Sequence, residues 1–184
     1  MIVEELEIPD VKRLTPRRNR DSRGFLTEVW RKEVGAQATD GFSIVQENHS
    51  FSESRGTVRG LHFQIPPRDQ AKLILVVTGA IFDVAVDIRG SSPHFGKHVT
   101  ATLTAEEGTQ LFVPSGFAHG FCTLTDNTHI IYRLSAPYSP DHDAGVHWQD
   151  PDLAIDWPDV ADELSLSERD RALPRLVSLP AHFT

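Results

Sequence analysis

The chain has 184 residues, 39% of them hydrophobic, enough for one sizeable core and typical of a globular domain. Its formal net charge is −8 with the acids dispersed, so no basic stripe offers what duplex nucleic acid requires, and no apolar run approaches the ~20 residues that span a bilayer. Cys122 is the single cysteine and cannot form an internal disulfide, and the opening MIVEELEIPDVKRL has neither a basic n-region nor an apolar h-region, so a cytoplasmic protein is expected.

The predicted elements, in chain order, are strands. FSIVQENHSF (42–51), GTVRGLHFQIP (56–66), KLILVVTGAIFDVAVDI (72–88), KHVTATLT (97–104), TQLFVP (109–114), GFCTLT (120–125) and HIIYRLS (129–135) are short and rich in β-branched and aromatic residues. Gly, Pro, Asp or Asn separates them, a spacing that indicates a sandwich or barrel. In AIFDVAVDI, alternation puts Phe82, Val84, Val86 and Ile88 on one face and Asp83, Ala85 and Asp87 on the other. Asp83 and Asp87 are expected to face solvent rather than line a wet interior. After Pro140 the chain changes character: Pro and Asp punctuate it, and one helix is predicted, with Ser165 and Glu168 as a capping box and Pro174 ending the turn.

GTQLFVPSGFAH places Gly108, Pro114, Gly116 and His119 at a spacing that resembles the second motif of the cupin superfamily. Glycine and proline shape the turns, and the following strand carries His119 inward. The resemblance implies an all-β, cupin-type antiparallel jelly roll. We expect a single domain over 1–184, with the core over about 20–140 and a short helical C-terminal extension over about 141–184. A metal-dependent cupin needs, earlier in the chain, two histidines one residue apart and a nearby carboxylate. Here the stretch is LHFQ, whose lone His62 cannot complete such a shell. No metal is expected, and His62 is left with proton chemistry or a structural role.

Further motifs sharpen the resemblance. DSRGFLTE (21–28), VQENHS (45–50), RGTVRGLHFQ (55–64), QAKLILVVTGAIFDVAVDIR (70–89), VPSGFAHGF (113–121), YSP (138–140), DPDLAIDWP (150–158) and LSERD (166–170) are similar, in order, to the dTDP-4-dehydrorhamnose 3,5-epimerase family. That family inverts the carbons flanking the 4-keto group of a nucleotide-linked 6-deoxyhexose, and no cofactor is implied. Inversion needs two proton-handling groups, and a weak acid such as tyrosine can return the proton. The resemblance makes His62 the base, Tyr132 the acid, Asp170 the carboxylate that orients the histidine, and Lys72 the cation near the keto oxygen. For the dTDP-linked substrate it implies Arg23, Glu28, Gln46, Asn48, Arg59 and Tyr138, with Phe25, His119 and Arg169 in the same pocket. Strict alternation sets Arg59 opposite His62; a bulge at Gly60 would bring both to one site. A homodimer is implied, with N-terminal strands lending Arg23 and Glu28 to the neighbour. Two alternatives stay open: an epimerase acting at C3 only, and a non-catalytic sugar-nucleotide-binding cupin.

Overall fold

The computed structural model describes residues 1–39 and 41–183. In chain order it contains β1 (Ile2–Glu5), β2 (Lys12–Thr15), β3 (Arg18–Asp21), β4 (Gly24–Thr27), α1 (Lys32–Ala38), β5 (Gln46–Ser52), β6 (Val58–Gln64) and β7 (Lys72–Thr78). There follow β8 (Ala80–Asp87), β9 (His98–Thr104), β10 (Gln110–Val113), β11 (Phe117–Thr123), β12 (Thr128–Leu134), β13 (Asp143–Gly145) and α2 (Glu168–Arg171). Six strands form one sheet in the order β1-β2-β10-β7-β12-β5, five form a second in the order β13-β6-β11-β8-β9, and β3 and β4 make a separate hairpin. Neighbours pair antiparallel, as in a jelly roll.

The two sheets share an apolar interior. Ile74, Val76, Leu111 and Ile130 from the larger sheet meet Ile81, Val99, Leu103, Phe117 and Phe121 from the smaller one. The smaller sheet also buries its outer face. Leu61, Phe63, Val84 and Val86 are covered by Leu153, Ile155, Trp157, Leu176 and Phe183 of the C-terminal extension. Trp157 packs edge-on against Phe82 and Trp148, with ring centroids 5.9 and 5.6 Å away. Burying one such large side chain contributes about 1.5–3 kcal/mol, so the extension is part of the fold and not an appendage.

This double burial corrects the expectation for Asp83 and Asp87. The predicted alternation along β8 is present, but the acidic face points between the sheets and both carboxylates are fully buried. Each has a partner there: Asp87 binds Arg89 and Ser92, both at 2.6 Å, and Asp83 binds His119. Alternation identifies two faces of a strand; it does not say which of them a distant segment will cover.

The N-terminal strands lie outside the expected core, since β1 and β2 extend the larger sheet beside β10. Their sequences, IVEE and KRLT, carry too many charges to read as strands. The β3–β4 hairpin is largely exposed, with Phe25 51% and Leu26 75% accessible.

The extension also completes an open sheet edge. β13 pairs with β6 only at residues 62–64. Upstream, the segment 162–170 takes over: Asp162 N donates to Gly56 O at 2.9 Å, Val58 N to Ser165 Oγ at 2.9 Å and Gly60 N to Asp170 Oδ2 at 3.4 Å. Ser165 is therefore not the helix cap. The cap of α2 is Ser167, whose Oγ accepts from Asp170 N at 3.0 Å. Ser165 is occupied in closing β6, where an unpaired buried amide would be costly. Among the described residues no helix is long and apolar enough to cross a membrane.

Candidate active site

A cavity of about 500 Å³ opens between the sheets. β6 reaches it through the bulge expected at Gly60: His119 pairs with His62 and Phe121 with Arg59, so Gly120 alone opposes Gly60 and Leu61. Gly60 has φ +121° and its missing Cβ would stand 2.6 Å from Gly120 Cα, so only glycine fits. As a result Arg59 and His62 both line the cavity. Arg59 leans toward β5, donating to Ser52 Oγ at 3.3 Å and Phe51 O at 3.2 Å.

His62 Nε2 lies 2.7 Å from Asp170 Oδ1, joining strand and extension. In a capping box the acid at this helical position folds back onto the cap. Asp170 instead turns to His62 and Gly60. Burial raises its pKa, but the His62 hydrogen bond and charge, with the Gly60 and Ser167 contacts, outweigh burial and hold it below the ordinary carboxylate range. Lys72, on β7, crosses the gap between sheets: its Nζ donates to His62 O at 2.8 Å. Burial brings its pKa down to about 8; the charges of Asp143 and Asp83 oppose that fall and Arg169 adds to it. His119, on β11, binds Asp83 Oδ1 at 2.8 Å, while Asp83 Oδ2 has no hydrogen-bond partner among the described residues.

Tyr132 stands on β12 between Asn48 and Ile74 of the neighbouring strands, and with Asn48 it lines the cavity from the larger sheet, facing His62 on the smaller. At the mouth, Asp143 Oδ2 accepts from Tyr138 Oη at 3.0 Å and pairs with Arg169 at 2.7 Å. The bond to Asp143 raises the Tyr138 pKa. Gln46 lies just behind, its Nε2 donating to Asn48 Oδ1 at 2.9 Å and its Oε1 accepting from Tyr138 N at 2.9 Å.

Arg23, Phe25 and Glu28 do not line this cavity. Arg23 pairs with Asp21 at 2.6 Å on the exposed hairpin, Phe25 lies under Arg18 at 4.1 Å, and Glu28 pairs with Arg31 at 3.1 Å. Sequence reasoning did not find Asp83, Asp143 or Gln64 as site residues. Asp143 has no local signal, because only the pairing of β13 with β6 brings it opposite Gln64 at the cavity. Among the described residues no three His, Cys, Asp or Glu side chains gather as a metal site.

The family model of dTDP-4-dehydrorhamnose 3,5-epimerase matches residues 5–178. The chain belongs to this family. A dTDP-4-dehydrorhamnose 3,5-epimerase of Sinorhizobium fredii is 47% identical over 183 residues, 100% of this chain and 93% of its own length. The structure of a family member from Legionella pneumophila, in complex with dTDP-4-keto-L-rhamnose, superposes with a TM-score of 0.92 at 36% identity, covering 98% of this chain and 95% of the other. A 3'-monoepimerase from Streptomyces bikiniensis, in complex with dTDP-quinovose, has a TM-score of 0.88 at 36% identity, covering 95% of this chain and 87% of the other. The epimerase family thus contains close structural neighbours of both regiochemistries.

Proposed function

We propose that this epimerase inverts C3 and C5 of a dTDP-linked 4-keto-6-deoxyhexose, converting dTDP-4-dehydro-6-deoxyglucose to dTDP-4-dehydrorhamnose as a cytoplasmic homodimer. The observation that carries the reading is one cavity with a histidine–carboxylate pair on one wall and a tyrosine on the other. His62 Nε2 donates to Asp170, which leaves Nδ1 as the basic nitrogen. Nδ1 takes the proton from the carbon next to the ketone, the C–H electron pair moves to the carbonyl oxygen, and the Lys72 ammonium faces the resulting enolate. Asp170 balances the imidazolium. Tyr132 then protonates the same carbon from the opposite wall, which inverts it.

Arg59 and Arg169 suit the diphosphate, as guanidinium groups bind such oxygens bidentately. Asn48 and His119 line the same cavity, Gln46 stands behind it against Asn48 and the Tyr138 amide, and Tyr138 presents an aromatic face at the mouth. The exposed hairpin supports a partner copy: on this reading Arg23, Phe25 and Glu28 complete the neighbour's pocket. The test is incubation with the 4-keto-6-deoxyglucose nucleotide in deuterated water. Deuterium at both C3 and C5 is expected, and label at C3 alone would establish the monoepimerase reading that the Streptomyces neighbour favours. With Tyr132→Phe, deuterium should still enter the substrate while inverted product falls by about 10²-fold or more; full epimerisation in that variant would remove Tyr132 from the acid role.

A further inference from the structure

Tyr138 reaches the cavity mouth from an irregular segment that belongs to neither sheet, and side chains from both sheets hold that segment. Gln46, on β5 of the larger sheet, accepts the Tyr138 amide at 2.9 Å. Gln64, on β6 of the smaller sheet, accepts the Ser139 amide on Oε1 at 2.7 Å, and its Nε2 donates to Pro137 O at 3.2 Å and also to Arg68 O. Pro137, Tyr138 and Ser139 are thus fastened one after another to two facing walls. A third tie runs through the ring, from Tyr138 Oη to Asp143 at 3.0 Å.

Gln64 is 3% exposed although it borders the cavity. Both N–H donors of its amide and its carbonyl are engaged by backbone, at Pro137 and Ser139 of the segment and at Arg68, so these bonds go to backbone and not to a ligand. Replacing it by an apolar side chain would remove the partner of one backbone N–H, at Ser139, and of two carbonyls, at Pro137 and Arg68. The bonds would break by moving the segment.

We propose that Gln64 is a positioning residue for the nucleotide: by clamping Pro137–Ser139 it presets the Tyr138 ring, so that the base meets an aromatic face already in place. This rests on the reading of Tyr138 as the residue that receives the base. A preset ring has less freedom to lose on binding, and the gain is in affinity rather than in the chemical step. The clamp draws on both walls of the cavity, so the mouth is registered to the walls that carry His62 and Lys72.

The chain has two tyrosines, so fluorotyrosine labelling gives one ¹⁹F resonance for Tyr132 and one for Tyr138, assigned with Tyr138→Phe. In Gln64→Leu the Tyr132 resonance should stay in place, which also reports folding, while the Tyr138 resonance moves and narrows. The Kd for dTDP, measured by calorimetry, should rise about tenfold, and KM should rise more than kcat falls. Tyr138→Ala should cost less in the Gln64→Leu background than in the wild type. Should Gln64→Leu not fold, Gln64→Glu keeps the Ser139 bond and lacks the N–H donors. It should move the same resonance with about a threefold loss of affinity. An unmoved Tyr138 resonance in a folded variant overturns the proposal, whatever the affinity does, and so does a dTDP Kd within twofold of wild type. Wild-type protein that fails to bind dTDP would overturn the functional reading instead, and the Tyr138 resonance would still decide whether the clamp exists.

Discussion

His62–Asp170 and His119–Asp83 are two histidine–carboxylate pairs whose imidazoles line one cavity, with nearly equal separations of 2.7 and 2.8 Å. They differ in construction. His119–Asp83 lies within a single sheet, between β11 and β8, with side chains 9% and 0% exposed, and one carboxylate oxygen has no hydrogen-bond partner among the described residues. His62–Asp170 is made from parts 108 residues apart, and its histidine is 28% exposed to the cavity. The surroundings of Asp170 hold its pKa below the ordinary value, so the carboxylate stays charged through the neutral range. A base that must take a proton and hold it needs that guaranteed counter-charge beside an accessible ring. The buried pair has neither the access nor the full set of donors, and its charge acts on its neighbour Lys72. Distance alone would make the two pairs equivalent; burial and donor count separate them.

The largest effect should come from His62→Ala, with deuterium exchange and product formation both falling by about 10³-fold or more. Exchange that survives in this variant would mean that His119 can act as the base, and the division between the pairs would fail. Next in size, Asp170→Asn should lower kcat by on the order of 10²-fold while the histidine stays in place, since the side chain keeps its shape and loses its charge. Asp83→Asn should cost about tenfold, because the charge it removes lies beside the Lys72 ammonium and not beside the base. Equal losses in Asp170→Asn and Asp83→Asn, read from initial rates, would erase the distinction.

The two pairs also mark what could be read from the sequence. The strands that hold His62, Lys72 and Tyr132 announce themselves through β-branched residues, the strand after Gly116 begins earlier than its pattern suggests and takes in His119, and the bulge at Gly60 is expected once the family resemblance puts Arg59 and His62 in one site. The burial of Asp83 has no local signal, because the face of β8 that reads as apolar is covered by Trp157 and Leu176, far along the chain. The helix cap lies two residues beyond the capping-box serine, at Ser167. Ser165 fits a capping box by spacing, but the open edge of β6 competes for its hydroxyl, and no local pattern records that edge. Asp170 came only from the family resemblance, and nothing marked Asp143 or Gln64, whose roles exist only once two sheets and a loop are assembled.

The smallest effect expected is a displacement on the pH axis, and it tests the link between the buried pair and Lys72. Burial brings the Lys72 pKa from 10.5 down to about 8, so activity that depends on its ammonium should decline as pH rises through about 8. Asp83 raises that pKa and Arg169 lowers it. Asp83→Asn should therefore move the alkaline limb of kcat to lower pH, and Arg169→Met should move it higher, each by roughly half a unit. Stability should respond in the opposite sense to activity. Below about 8 the folded and unfolded chains both carry the proton on Lys72; between about 8 and 10.5 only the unfolded chain does, so unfolding takes up a proton and stability contributed by this residue rises with pH. Compared with Lys72→Met in urea titrations, the wild type should gain on the order of 2 kcal/mol across that interval. A limb that stays put in both charge variants, or a stability difference that falls with rising pH, would show that Lys72 does not titrate in this range and that the Asp83 pair influences the reaction by another route.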